Sequence, residues 1–358
     1  MSIALTATIL VTDRCNLACK YCYEEDKQFE TTKKEYIDKF IEMLYSDEYY
    51  SSFEQVILEF IGGEALLEYE LVGYAMSKFM EVGREYNHHW IKEGNHVFST
   101  CTNGTLFKNK EIKEFCETHP CLNIGLSLDG SKHTHDLNRV YLDGRGSYDD
   151  IMENFEWWKN RYKQKMVKGT FGVNNLHNVC EILTTQVKLG MTAIWCNPVY
   201  EHEWTEEEGE VYYKELCKTI DWIFENHLEY KVNMMALRRK PDGVIVRENK
   251  DNYCGTCKYM VALGLDGNIY SCHRFCVAKH KFPIGNVDDG ISPTAKAEFI
   301  EGTKTINKQI GSTFYPVCYA QNFDVDGKWE YHNSTRNMTE AECRAWDYWK
   351  EKSKEKTL

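Results

Sequence analysis

Three cysteines in the run Cys15-Asn16-Leu17-Ala18-Cys19-Lys20-Tyr21-Cys22 constrain this chain more than any other feature. Thiolates at CxxxCxxC spacing can hold three irons of a cubane cluster and leave the fourth without a side-chain ligand, and soft thiolates suit iron–sulfur clusters. An iron left open is a place for chemistry, by the logic that separates catalytic from structural metal sites. The apolar stretch before the triplet, residues 3–11, reads as a buried strand, which puts the cysteines on the loop that leaves it. The competing readings are three unrelated buried thiols, or part of a zinc site.

A chain of 358 residues suits one large domain and a smaller one. The 27% of charged and 42% of hydrophobic residues are those of an ordinary soluble protein, and the net charge of −12 argues against a nucleic-acid-coating surface. A local basic stretch, Arg238, Arg239, Lys240, Arg247 and Lys250, reads as a solvated loop, with an acidic peptide or cofactor carboxylate as the alternative partner. The 15 cysteines come without a signal-peptide pattern at the start, which points away from a secreted disulfide scaffold. No apolar run reaches about 18 residues, so no membrane span is expected. An odd, cysteine-rich chain of this kind implies metal and cluster ligands in a reducing, anaerobic cytoplasm.

Short apolar runs at 3–11, 55–61, 96–101, 122–128, 167–173 and 193–199 read as strands. Amphipathic helical patterns fill the gaps at 33–44, 71–86, 109–116, 148–162, 179–189 and 206–227. Six βα units in series predict a parallel sheet with right-handed crossovers. The polar and glycine-rich clusters all follow strand ends: Cys15–Cys22, Gly62-Gly63-Glu64, Thr102-Asn103-Gly104, Ser127–Gly130 and Asn197-Pro198. Barrel-type βα folds gather catalytic groups on that face. The expected α/β architecture is a partial (βα)6 TIM-like barrel over 1–230, then a small cysteine-rich α+β module over 231–358, opening with a hairpin around Gly267. The charged tail from 350 on reads as frayed, and Cys101, Cys116, Cys121, Cys180, Cys196 and Cys217 as small buried hydrophobes.

With the aromatic Tyr21 before its last cysteine, the triplet resembles the signature of the radical S-adenosylmethionine (SAM) superfamily, CxxxCxφC. Gly62-Gly63-Glu64 is similar to that superfamily's GGE motif, with Ala65 where proline often follows. Ser127-Leu128-Asp129-Gly130 and His135-Asp136-Leu137-Asn138-Arg139 resemble the SLDG…HDxxR segment of anaerobic sulfatase-maturating enzymes and their peptide-modifying relatives. The resemblance implies a [4Fe–4S] cluster on Cys15, Cys19 and Cys22 that chelates SAM and cleaves it reductively to a 5′-deoxyadenosyl radical. It further implies that Glu64 meets the SAM ammonium, Ser127 and Arg139 its carboxylate, and Asn103, Asn197 and Val199 the ribose and adenine.

Cys254-Gly255-Thr256-Cys257, then Gly267 through Cys272, look like the opening of the SPASM/twitch extension, which binds auxiliary clusters. A complete SPASM domain continues with further cysteines, whereas only Cys318 and Cys343 remain here after Cys276. One auxiliary [4Fe–4S] cluster is therefore implied, on Cys254, Cys257, Cys272 and Cys318 with Cys276 in reserve. The spacing of Cys254, Cys257, Cys272 and Cys276 also suits structural zinc. His273 stands where sulfatase-maturating enzymes carry an aspartate base, a departure that looks more like maturases crosslinking ribosomal peptides. It is a candidate proton acceptor, or packs beside the cluster. The expected activity is hydrogen abstraction from a peptide or protein, ending in a crosslink, an epimer or an oxidation. Its electrons come from a flavodoxin or ferredoxin, with no nucleic-acid or membrane partner. The alternatives are a small-molecule radical SAM enzyme and a non-catalytic zinc- or cluster-stapled binding protein.

Overall fold

The computed structural model describes residues 4–24, 27–162, 166–237, 254–310, 317–332 and 335–355. The basic stretch at 238–250 lies outside them. Strand β1 (Leu5–Thr12) is buried along almost its whole length, as a strand with parallel neighbours on both sides should be. β2 (Val56–Gly62), β3 (His96–Thr102), β4 (Leu122–Ser127), β5 (Val167–Phe171) and β6 (Ala193–Pro198) follow, each parallel to the one before. These are the six expected βα units, in sequence order across the sheet.

The sheet continues past both ends of that series. β7 (Asn233–Met234) adds to β6. On the far side of β1 lie β8 (Met260–Leu263), parallel to it, then antiparallel β9 (Asn268–Tyr270), β10 (Pro283–Asn286) and β11 (Gly290–Ile291). The expected hairpin is β8–β9, its turn closed by Gly267 at φ +78°. Among the described residues, eleven strands thus form one sheet, and the cysteine-rich segment is fastened to the first barrel strand by backbone hydrogen bonds.

One face of the sheet carries Leu5, Ala7, Ile9, Leu58, Phe60, Phe98, Ile124, Leu126, Val167, Phe171 and Ile194, all buried with the apolar faces of the helices. Parallel register puts the alternate residues on the other, inner face. There Thr8, Glu59, Ser99 and Asn123 form one row, Ser127, Lys168 and Trp195 another, and Thr170 pairs with Asn197. A closed βα barrel fills this space with bulky branched residues; here it is polar and only partly covered.

Some expectations fail locally. The helix expected at 148–162 is two, Tyr148–Met152 and Phe155–Arg161, broken at Asn154, whose side chain bonds Lys113 instead. The tail does not fray at 350: helix Arg336–Glu355 runs to its end on helix Glu206–Glu225, with Tyr348 bonding Asp221 at 2.8 Å and Arg344 pairing Glu210 at 2.6 Å. Cys116 and Cys196 are buried as expected, but Cys121 is exposed. Among the described residues, no helix is long and apolar enough to cross a membrane.

The contact that sets the site is backbone to backbone. Gly63 N–H donates to Thr12 O at 3.0 Å and Glu64 N–H to Arg14 O at 2.8 Å. A Cβ on Gly62 would stand 2.0 Å from Thr12 O, and one on Gly63 2.5 Å from Arg14 O. These glycines admit the neighbouring loop rather than only a ligand. Gly62→Ala is expected to destabilise the fold by about 1–3 kcal/mol, read as a lower urea midpoint at unchanged slope.

Candidate active site

The loop after β1 carries Cys15, Cys19 and Cys22, all half-buried, and is held from several sides. Ala18 N–H donates to Val140 O at 2.7 Å and Lys20 N–H to Asn138 O at 2.9 Å, tying it to the segment that contains Arg139. Asn103, at the end of β3, donates from Nδ2 to Asn16 Oδ1 at 2.8 Å and lies 4.0 Å from Cys15 Sγ. Asn16 in turn donates to Thr105 at 2.7 Å. Burial pushes the Cys15 thiol up to about 12, with Glu64 adding to it. Burial likewise raises Cys19 and Cys22.

Glu64 is 2% exposed, and its carboxylate accepts from Leu66 N–H at 3.2 Å, Thr102 Oγ1 at 2.8 Å and Asn103 N–H at 2.8 Å. It locks the end of β2 to the end of β3 and thereby orients Asn103. Burial raises its pKa, against the pull of those three donors.

Asp129, to which the sequence assigned no role, is the centre of the next layer. It is fully buried and takes hydrogen bonds from Tyr21 Oη, from Arg139 Nε at 3.0 Å and from Thr170 N–H at 2.8 Å. Arg139 lies 5.5 Å from the Tyr21 ring centre. Burial opposes the guanidinium charge, but Asp129 carries its pKa above the ordinary value. Only Nε is used by the carboxylate, so the outer edge of the Arg139 fork faces away from this pair. Behind it, His135 Nδ1 accepts from Asp129 N–H at 3.2 Å, and Nε2 lies 2.9 Å from Ser147 Oγ, which donates to Arg139 O at 2.9 Å. The buried charges are thus paired and hydrogen-bonded throughout.

Ser127 opens onto the inner face, its Oγ 3.5 Å from Cys101 Sγ. Asn197 shares that face and accepts from Trp195 Nε1. Val199 lines a cavity of about 270 Å³ together with Tyr21, Cys22, Asn138 and Gly172. The sequence-predicted residues of the first half therefore gather at the strand ends around the cysteine loop, with Asn197 slightly deeper along β6.

The C-terminal segment meets this loop through Arg274, which pairs with Glu201 and stacks between Tyr23 and Tyr200 at 4.6 and 5.3 Å from their ring centres. His273 lies 6.4 Å from the Tyr23 ring, its buried Nδ1 without a hydrogen-bond partner. Burial lowers its pKa, with Glu59 opposing and Lys168 assisting, so it faces the same inner surface as those two. Cys254, Cys272 and Cys318 lie in one another's field: burial pushes Cys254 up to about 12 and Cys272 up to about 11, each helped by another thiol of the three. Cys257 is not brought to them. Its thiol is in the main core at 1% exposure, where burial raises it and Lys296 opposes, and it bears on Tyr49 and Tyr50. Its φ of +61° turns the chain there. Cys276 sits beside Cys272 but toward Asp266 and Lys281.

Among the described residues, no group of three or more His, Cys, Asp or Glu converges as the sphere of a single metal ion. Thiolates of a cubane each take a different iron and need no such convergence. The N-terminal donor set fits that group: three thiols on one braced loop, with Leu17 N–H 3.4 Å and Asn103 Nδ2 4.0 Å from Cys15 Sγ, contacts that favour a thiolate. Around Cys272, the Ser271 hydroxyl is buried without an acceptor, as suits a donor to a thiolate or sulfide.

This geometry agrees with the comparisons. Residues 9–183 match the model of the Radical SAM superfamily. The chain is 24% identical over 336 residues to a cysteine-type anaerobic sulfatase-maturating enzyme of Clostridium novyi (strain NT), spanning 86% of this chain and 84% of that protein. The solved structure of anSMEcpe with bound AdoMet and the Cp18Cys peptide superimposes with a TM-score of 0.72 over 97% of each chain, at 20% identity. Streptococcus suis SuiB bound to precursor peptide SuiA superimposes with a TM-score of 0.61 over 93% of this chain and 75% of that one, at 12% identity. The two structures speak for the fold. Residues 9–183 thus carry a radical SAM domain, and the chain is an enzyme. Within that class it is related to the anaerobic sulfatase-maturating enzymes, and enzymes of the class work with a [4Fe–4S] cluster and SAM.

The His135 network has a pH signature. Burial lowers this imidazole from its ordinary 6.5 to about 4, so the folded state holds it neutral while the unfolded chain protonates first. Its contribution is complete above pH 6.5 and is lost as pH falls toward 4, by up to about 3 kcal/mol. Urea titrations across that range should show this slope in the wild type and a shallower one in His135→Gln.

Proposed function

We propose that the enzyme modifies a peptide or protein side chain. The observation that carries this reading is the inner face of the sheet: polar, partly open, and continuous with the loops after β2, β3 and β4, which are bonded to the cysteine loop. Relatives in fold include anSMEcpe with a bound peptide and SuiB with its precursor peptide, which supports the same substrate class.

In this reading residues 1–230 form the SAM-binding barrel and 231–358 the auxiliary-cluster segment. Cys15, Cys19 and Cys22 hold the cluster, and Tyr21, held by Asp129, fixes the loop between them. Gly62, Gly63 and Glu64 form the turn that supports SAM's amino end, and Ser127 and the outer edge of Arg139 take its carboxylate through a rigid donor fork. Asn103, Asn197 and Val199 line the side of the nucleoside. When bound, the cluster supplies the electron that cleaves SAM, giving a radical able to take hydrogen from an unactivated C–H bond; the protein binds, orients and excludes water. Cys254, Cys272 and Cys318 lead the ligand set of one auxiliary cluster, with Cys257 as its fourth ligand in this reading. His273, facing the inner surface with an unpartnered Nδ1, receives the proton released when the substrate is oxidised. Electrons enter from a flavodoxin or ferredoxin.

Anaerobic reconstitution should give about eight irons per chain, where about four irons and one zinc would mean a structural zinc site. Dithionite should then drive 5′-deoxyadenosine release from SAM, and Cys19→Ala should reduce it to protein-free background. Mass spectrometry of a candidate peptide after turnover should show loss of two hydrogens for a crosslink or oxidation; conversion of a free metabolite instead of any peptide overturns the substrate class.

A further inference from the structure

Among the described residues, the inner face carries a cation, Lys168, that no acid pairs. On β5, Val167, Gly169 and Phe171 are buried toward the helices, which turns Lys168 and Thr170 inward. Register sets Lys168 between Ser127 of β4 and Trp195 of β6. Among the described residues, no carboxylate pairs with its ammonium, although ion pairs are frequent elsewhere on this chain.

The acids near it are committed. Asp129 is taken by Tyr21, Arg139 and Thr170 N–H. Glu59 faces the same space from β2, with β3 and β4 between, and accepts from Thr8 Oγ1 at 3.2 Å. His273 faces Lys168 from the C-terminal segment and its Nδ1 also lacks a partner. Trp195, 36% exposed, stands beside Lys168 with its indole N–H bound to Asn197, so its ring makes a flat wall.

We infer that Lys168 is a specificity residue that holds a carboxylate of the substrate against the Trp195 wall. A half-buried ammonium with no acid beside it leaves a place for an anion, and a substrate carboxylate entering this partly covered face supplies one. Lysine acts as a flexible point charge, suited to a carboxylate whose exact orientation the neighbouring groups set. This assignment rests on the peptide reading, and two sources share the chemistry: an Asp or Glu side chain beside the modified residue, or the free end of the chain.

The test uses reconstituted enzyme with SAM and three probes, acetyl-Ala-Asp-Ala-amide, acetyl-Ala-Asn-Ala-amide and acetyl-Ala-Asn-Ala with a free C-terminus, titrated by calorimetry. One of the two carboxylate probes should bind at least about tenfold tighter than the neutral amide, and which one identifies the source. Lys168→Gln should erase that difference and leave SAM affinity unchanged, while Lys168→Arg should retain it. Equal binding of all three probes overturns the assignment alone. Binding of none overturns it together with the peptide reading. Loss of SAM affinity in Lys168→Gln would place the cofactor's own carboxylate on Lys168 and overturn it as well.

Discussion

Strand β1 is paired in parallel on both sides, with β2 from the barrel and β8 from the cysteine-rich segment. That double pairing decides where everything else can be. The loop leaving β1 emerges between the two parts of the chain, so its three cysteines have the strand-end loops of β2, β3 and β4 on one flank and the segment around His273 and Arg274 on the other. The loop has no regular structure of its own. Its shape comes from backbone bonds to Thr12, Arg14, Asn138 and Val140, and the glycine pair at the end of β2 is what allows the closest of these.

The charged network around Asp129 adds a second constraint. A lone buried carboxylate would be strongly disfavoured, but three donors meet this one, and each belongs to a different element: the cysteine loop, the segment after β4, and β5. Removing Arg139 leaves a charge uncompensated in the interior, and removing Tyr21 takes a hydrogen-bond donor from the buried carboxylate. The network therefore specifies one arrangement of these elements rather than merely adding to their cohesion.

Much of this was legible in the sequence because it is local. Parallel strands with one face buried under helices keep apolar residues at alternate positions and end in glycine or polar turns, and all six barrel strands were read to within two residues of their observed ends. Motifs at strand ends could be placed as soon as the strands were. What could not be read depends on partners distant in sequence. Asp129 sat inside a recognised motif, yet nothing local reveals that Tyr21 and Thr170 meet it. The spacing of Cys254 and Cys257 suggests two thiols side by side, whereas a left-handed residue at Cys257 sends its side chain into the core. The charged tail looked solvated because its anchors, Asp221 and Glu210, lie on a helix more than a hundred residues earlier.

The pairing of β1 with β8 also has a consequence for how the chain emerges from the ribosome. Until residues 260–263 have been synthesised, one side of β1 offers a row of unsatisfied amide and carbonyl groups, the kind of strip that recruits stray strands. The nascent barrel must pass through most of translation with its first strand unguarded, and the late-made segment that guards it is the one that brings His273 to the interior.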